Sequence, residues 1–236
     1  MYRYGYGFYG FDRTYILLIL GMILSLAASA KLKSTFAKYR TIRSASGLTG
    51  EQAARRILQA AGITDVQVRA VRGSLTDHYD PRTKTVNLSQ DIYGQTSLAA
   101  VGVAAHECGH AIQHAIHYAP LEIRSAIVPA ANLGSTLAWP IFFLGLVMSA
   151  RPLITAGIVL FSLAVLFQLV TLPVEINASS RALHMLEATG ILGENENKGA
   201  RKVLTAAAMT YVAALAGSIL QLLRFLILAG GRRNDD

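Results

Sequence analysis

Four long stretches without charged side chains constrain this chain more than any other feature. They occupy residues 15–30, 125–150, 152–174 and 203–223. Three of them exceed the roughly 20 residues that cross about 30 Å of hydrocarbon at about 1.5 Å per residue. Only 15% of all residues are charged, against roughly 25% in a typical soluble domain. The sequence therefore predicts an integral membrane protein with about four transmembrane helices.

The stretch between the first two apolar runs has the composition of an ordinary polar domain. Residues 49–61 begin with a Thr-Gly-Glu-Gln capping box, which predicts a helix. A strand is expected at 66–71, and residues 75–88 resemble a hairpin around an Asp-Pro-Arg-Thr turn. Residues 96–118 are rich in alanine and predict a helix that stops at Pro120. The fold class is therefore mainly α, with a small α+β domain attached to the transmembrane helices.

The apolar runs and the polar stretches between them predict five segments. They are an aromatic N-terminal segment with transmembrane helix 1 (1–30), a cytoplasmic domain (31–124), a transmembrane hairpin (125–174), a further cytoplasmic helix (175–202), and transmembrane helix 4 with a short tail (203–236).

The distribution of basic residues predicts the orientation of the chain. With the amino terminus outside, 16 of the 22 lysines and arginines lie on the cytoplasmic side and five lie outside, as the positive-inside rule requires. Arg224 falls near the outer end of the last helix, where it can snorkel to the interface. The alternative is a cleaved signal peptide, because Ala-Ser-Ala at 28–30 resembles a cleavage site. That alternative would place the polar domain outside the cell membrane.

Charge and cysteine content exclude two other classes of protein. The net charge is +8, but no basic tract interleaved with aromatic residues and no nucleic-acid module is present, so no nucleic-acid partner is expected. The lipid bilayer explains the charge instead. Cys108 is the single cysteine, which excludes an intrachain disulfide and fits a reducing compartment.

One short motif in the helix at 96–118 has specific chemical content. It is His106-Glu-Cys-Gly-His110. Histidines four residues apart on a helix share one face, so that both imidazoles can bind one zinc ion. Glu107 then lies beside the metal without being a ligand, where it can act as a general base.

A catalytic zinc site usually has three protein ligands, so a third must come from elsewhere. His114 and His117 lie too far along the same helix to share an ion with His106. Glu175 is the better candidate, because two membrane crossings return it to the face of the membrane that holds the domain at 31–124. The alternative is that this carboxylate only marks the end of the transmembrane segment.

Other polar residues are weaker candidates for the site. His78 belongs to a polar cluster, residues 77–80, that precedes the Asp-Pro-Arg-Thr turn. It could line the substrate cleft or serve as an alternative ligand, although residues in such a cluster more commonly cap a turn. Arg181 and His184 follow Glu175 at helical spacings and could stabilise an oxyanion, but a solvated helix face explains them equally well.

Longer blocks of sequence resemble a known family. These blocks are 73–89, 104–113 (AAHECGHAIQ), 171–182 (TLPVEINASSRA) and 203–214. They resemble the YugP-type membrane zinc metallopeptidases of bacteria, which are distantly similar to HtpX-type proteases, and the resemblance covers about 46–223. It implies an inner-membrane metallopeptidase in which His106, His110 and Glu175 bind zinc and Glu107 is the general base.

The chain departs from related glutamate-liganded peptidases at one position. Where many of these carry an aspartate four residues after the third ligand, this chain has Ser179. A hydroxyl can accept the imidazole N–H bond but lacks the charge, and Asn177 is an alternative partner. The resemblance also implies that the sheet edge at 75–79 pairs with an extended substrate backbone.

The sequence as a whole predicts a zinc-dependent metalloendopeptidase in the bacterial cytoplasmic membrane. One zinc ion per chain is expected at the cytoplasmic surface, with a membrane-associated or unfolded polypeptide as the substrate. Two alternatives remain open from the residues alone. They are a zinc hydrolase acting on a non-peptide amide or ester, and a membrane scaffold without enzymatic activity.

Overall fold

The computed structural model describes residues 13–231, so the outermost parts of the predicted terminal segments, 1–12 and 232–236, lie outside the described residues. The fold is mainly helical, with a small three-stranded sheet. In chain order the elements are α1 (Tyr15–Tyr39), α2 (Gly50–Ala60), β1 (Gln67–Val71), β2 (His78–Asp80), β3 (Thr85–Ser89), α3 (Gln90–Tyr93), α4 (Leu98–Ala115), α5 (Ala119–Val147), α6 (Arg151–Ala188) and α7 (Glu194–Gly231).

Four of the described helices are long and apolar enough to cross a membrane, which confirms the predicted fold class. They are α1, α5, α6 and α7. Their apolar side chains are widely exposed, as in Leu26, Phe143 and Val147. Contiguous exposed apolar surface of this kind needs a nonaqueous neighbour, and a lipid bilayer provides it.

The described residues form two compact units. The first unit comprises 13–26, 129–166 and 213–231, and the second comprises 27–128 and 167–212. In the first unit Phe225 stacks on Phe142, with ring centroids 4.0 Å apart. Arg224 is buried within this unit, and its Nε donates to Thr14 Oγ1 at 3.2 Å.

The second unit contains the sheet, in the order β1-β3-β2. Strands β2 and β3 form the predicted antiparallel hairpin, and β1 pairs with β3 in parallel. Thr49 caps α2, and the predicted capping box with Gln52 is present. Helix α4 begins after Ser97, whose hydroxyl accepts from the Ala100 amide, and it is buried along most of its length.

Three predicted boundaries differ from the structure. Helix α4 ends at Ala115 rather than near 118, and His117 adopts a left-handed conformation with φ 54°. Pro120 lies in the first turn of α5, where its missing N–H has no intrahelical partner to lose. The helix expected at 175–202 is instead the end of α6, a turn, and the start of α7. The break falls at the turn around Gly190, whose φ of 64° suits a glycine at a helix end.

Candidate metal centre

Helix α4 presents His106 and His110 on the same face, one turn apart. Their rings lie with centroids 4.8 Å apart and planes nearly perpendicular. His110 is buried, and the His106 side chain is 15% exposed. Both imidazoles therefore point toward the same space, from which bulk water is largely excluded.

Glu175 of α6 meets these two imidazoles. Its Oε2 atom lies 3.2 Å from His106 Nε2 and 3.6 Å from His110 Nε2, and the residue is 2% exposed. One donor atom from each of the three residues lies within 4.8 Å of the others. Zinc with tetrahedral ligands at about 2.0–2.1 Å separates its donor atoms by about 3.3 Å. The spacing and the N,N,O donor set therefore fit a zinc ion.

The other nitrogen of each imidazole has its own partner. His106 Nδ1 lies 3.1 Å from the Ser179 hydroxyl, and His110 Nδ1 lies 3.0 Å from Gln113 Oε1. When both Nδ1 atoms donate their protons to these oxygens, both Nε2 lone pairs are left for a metal. Gln113 is itself fully buried and donates to the Val174 carbonyl at 2.8 Å.

Charge around His110 favours a cation in the site. Burial alone would lower the pKa of this imidazole, but its hydrogen bond to Glu175 and the nearby Glu107 carboxylate outweigh burial and raise the pKa. Two carboxylates that share one enclosed space stabilise positive charge there. A divalent metal ion meets that requirement.

Gly109 allows α4 and α6 to approach closely at the site. A Cβ atom at this position would overlap the backbone of Ala178, including its carbonyl oxygen. Ala178 lies three residues after Glu175, so the contact fixes the part of α6 that carries the carboxylate. The glycine of the motif therefore brings the histidines and the carboxylate within reach of one ion.

Substituting Gly109 with alanine is expected to lower the free energy of unfolding by about 3 kcal/mol, because backbone atoms on α6 cannot move aside as a flexible side chain would. Zinc affinity should fall as well, since the displaced segment carries Glu175. Thermal unfolding and a chelator titration measure the two effects. Gly102→Ala is the matched control, since its Cβ would lie 3.4 Å from Ala200 Cβ and alanine favours helix by about 1 kcal/mol. Equal losses in both variants would contradict this role of Gly109.

A cavity of about 310 Å³ opens beside the three candidate ligands. Glu107 lines it, together with Arg124 from α5 and Tyr211 from α7. Arg124 Nη1 lies 3.6 Å from Glu175 Oε1, and the Tyr211 side chain interacts with the same carboxylate. The cavity thus brings a carboxylate, a guanidinium and a phenol together around the candidate metal position.

The other residues predicted for the site, apart from Ser179, have contacts that differ from one another. His78 lines the cavity, but its Nδ1 donates to Thr76 O at 2.8 Å and its Nε2 accepts from Asn87. Asn177 contacts Gln113 rather than a histidine, and Arg181 donates to Asn177 at 2.8 Å. His184 lines a different cavity.

The other histidines of the region have partners outside the candidate centre. Burial raises the pKa of Tyr79 to about 12, and its hydroxyl forms a hydrogen bond with His114 Nδ1 at 2.7 Å. His117 pairs with Glu122 at 2.9 Å. Cys108 is buried, its Sγ contacts the Ala54 carbonyl of α2, and burial raises the pKa of its thiol.

Sequence reasoning missed three residues of the site. Gln113 had a usable signal, because it follows His110 by three residues and therefore lies beside it on the helix. Arg124 and Tyr211 had none, since they come from other helices, α5 and α7, and no local spacing relates them to the histidine motif. Only the folded structure brings them to the cavity that Glu107 lines.

Comparison with known proteins identifies the family of this chain. The family model described as "Putative neutral zinc metallopeptidase" matches residues 14–230. A Bacillus subtilis (strain 168) protein named "Putative membrane protease YugP" is 47% identical over 220 residues, which cover 93% of this chain and 98% of that protein. No solved structure matches the chain. This chain, with its four potential membrane spans, therefore belongs to the neutral zinc metallopeptidase family.

Proposed function

We propose that the protein is a membrane metalloendopeptidase that holds one zinc ion per chain between His106, His110 and Glu175. The observation that carries the proposal is the convergence of three donor atoms within 4.8 Å. The contacts of both Nδ1 atoms with Ser179 and Gln113 support it, because they direct each Nε2 atom toward that point.

The proposed mechanism gives Glu107 the proton transfers. A zinc ion held by His106, His110 and Glu175 would supply Lewis acidity, which polarises a peptide carbonyl and lowers the pKa of water toward about 7. The Glu107 carboxylate accepts a proton from the attacking water and passes it to the departing amine. Its position at the cavity that His106 and His110 line supports this role.

Arg124 and Tyr211 can stabilise the charge that develops on the carbonyl oxygen. They line the same cavity, and each carries a donor group that is suited to an oxyanion. They replace Arg181 and His184 as our candidates for this role, because Arg181 donates to Asn177 and His184 lines a different cavity.

The substrate is proposed to be an extended polypeptide segment. Strand β2 is an edge strand, since β3 pairs with it on one side and lies between it and β1. His78 and Tyr79 of β2 line the cavity with Glu107. An unfolded or membrane-associated chain that adds a strand at this edge would bring its backbone to the candidate metal position.

The direct test is product analysis with the purified full chain in detergent. An unfolded polypeptide and a bacterial lipid extract are incubated in parallel with the zinc-loaded protein. We expect new peptide amino termini in the first reaction, detected by mass spectrometry, and no change in the second. Hydrolysis of a lipid-linked amide or ester without peptide cleavage would instead support the non-peptide hydrolase.

We further propose that the site faces the cytoplasm, as the distribution of lysines and arginines supports. Arg72 and Met148 are both exposed and lie on opposite sides of the membrane in this orientation. In intact cells, a membrane-impermeant maleimide should label Met148→Cys, and it should label Arg72→Cys only after permeabilisation. Cys108 is buried and gives little background. Labelling of Arg72→Cys in intact cells would place the site outside.

A further inference from the structure

Four basic side chains surround a groove on the second unit, and none of the residues that line it lines the cavity beside the candidate metal centre. The groove has a volume of about 680 Å³ and lies between the end of α1 and the start of α7. Lys31 and Lys38 line it from α1, and Arg201 and Lys202 line it from α7. We call the space between these four residues the basic groove.

The cations of the basic groove are not neutralised by the protein. No acidic residue lines it, and within residues 13–231 no acidic side chain forms an ion pair with any of the four. Two lysines outside the groove are paired, Lys84 with Asp65 and Lys198 with Glu194. Four like charges around one space repel one another and attract an anion.

Helical spacing places the polar and the apolar side chains in different parts of the groove. On α1, Ser34 and Thr35 lie between Lys31 and Lys38. The Ser34 hydroxyl donates to the Lys31 carbonyl at 3.0 Å, so the hydroxyl donor offered to the groove from this helix is that of Thr35. On α7, Thr205 and then Met209 follow Arg201 at intervals of four residues along one face. The groove therefore has a basic, hydroxyl-rich part and an apolar part, and Met209 is 48% exposed.

The basic groove also coincides with a change in character along both helices. The uncharged residues 15–30 of α1 end at Lys31, and the uncharged residues 203–223 of α7 begin just after Lys202. In both helices the change from uncharged to charged sequence therefore falls at this groove. A free soluble anion would use the cations but would leave the apolar part of the groove without a partner.

We propose that the basic groove binds an anionic phospholipid. Its phosphate headgroup contacts Lys31, Lys38, Arg201 and Lys202, and its acyl chains lie along Ala206 and Met209. Basic pockets between membrane-spanning helices are suited to such headgroups, because each cation near an anionic lipid adds to the affinity.

The test measures lipid binding to the full chain in detergent by native mass spectrometry. Dioleoylphosphatidylglycerol and dioleoylphosphatidylcholine are titrated separately, and we expect the parent protein to prefer phosphatidylglycerol. The variant Lys31→Gln/Arg201→Gln should bind phosphatidylglycerol about 20-fold more weakly. Lys33→Gln/Lys198→Gln is the matched control, because it removes two cations from the same helices outside the groove, and its affinity should stay within about twofold of the parent.

Further variants keep the result independent of folding. Lys31→Arg/Arg201→Lys retains both charges and should retain binding, and the single exposed change Lys38→Gln should cost about fivefold. An equal loss in the control and in the groove variant would overturn the proposal. So would binding of inorganic phosphate alone by the groove residues without any preference for phosphatidylglycerol, which would indicate a soluble anion instead.

Discussion

Replacing Glu107 with glutamine is expected to lower kcat by about 10²–10⁴-fold while zinc content stays near that of the parent protein. Glutamine keeps the size and the polar character of the side chain, but its neutral amide cannot act as a general base. Glu107 is not among the three residues whose donor atoms converge, so the metal ligands remain in place. Cleavage of an unfolded polypeptide and elemental analysis of zinc, performed on the same preparation, measure both quantities.

The matched control for this experiment is Glu122→Gln. Glu122 is an exposed carboxylate that pairs with His117, outside the candidate centre. Its substitution removes the same charge and should leave kcat within about twofold of the parent value, because an exposed pair of this kind contributes little. If the Glu107→Gln protein cleaved the polypeptide at the parental rate, another group would have to be the base.

Substituting Glu175 with alanine is expected to abolish stable zinc binding and, with it, all activity. The change removes one of three donors and leaves the Arg124 guanidinium near two imidazoles without the carboxylate that balances its charge. Loss of a direct ligand should exceed the roughly 10–100-fold loss of metal affinity that follows removal of a supporting residue. Competition with a chromophoric chelator measures the affinity, and circular dichroism tests whether the helices persist.

Glu187→Ala is the control on the same helix. Glu187 is exposed, and its carboxylate lies 3.4 Å from the Asn197 side chain amide, so zinc affinity should be unchanged. Retention of parental zinc affinity by the Glu175→Ala protein would contradict the assigned ligand set. His78 would then be the next residue to test, because it lines the same cavity.

The sequence predicted the parts of the structure that depend on local patterns. Hydropathy located the four long helices, because a span of hydrocarbon requires an uninterrupted apolar run. The capping box at Thr49 and the hairpin around Pro81 were also predictable, since their signals lie within a few residues. Glu175 was predictable as well, because two membrane crossings between it and His110 return it to the same side.

The remaining features depend on contacts between distant segments. Nothing near Gly109 in the chain indicates that Ala178 will pack against it, although the histidine motif itself was evident. Helix α6 continues through Glu175, whereas the end of the apolar run at Val174 predicts a boundary there. Which charged residues face the cavity, Arg124 among them, likewise depends on tertiary packing.

The separation of the three candidate ligands along the chain has a consequence for biosynthesis. His106 precedes Glu175 by 69 residues, and α5 with nearly the first two thirds of α6 lies between them. A polypeptide that is still being translated and inserted therefore carries two imidazoles but lacks the third donor. On the proposed ligand set, the nascent enzyme stays inert until its third span has entered the bilayer. On this ligand set, zinc loading follows the insertion of α6 and does not precede it.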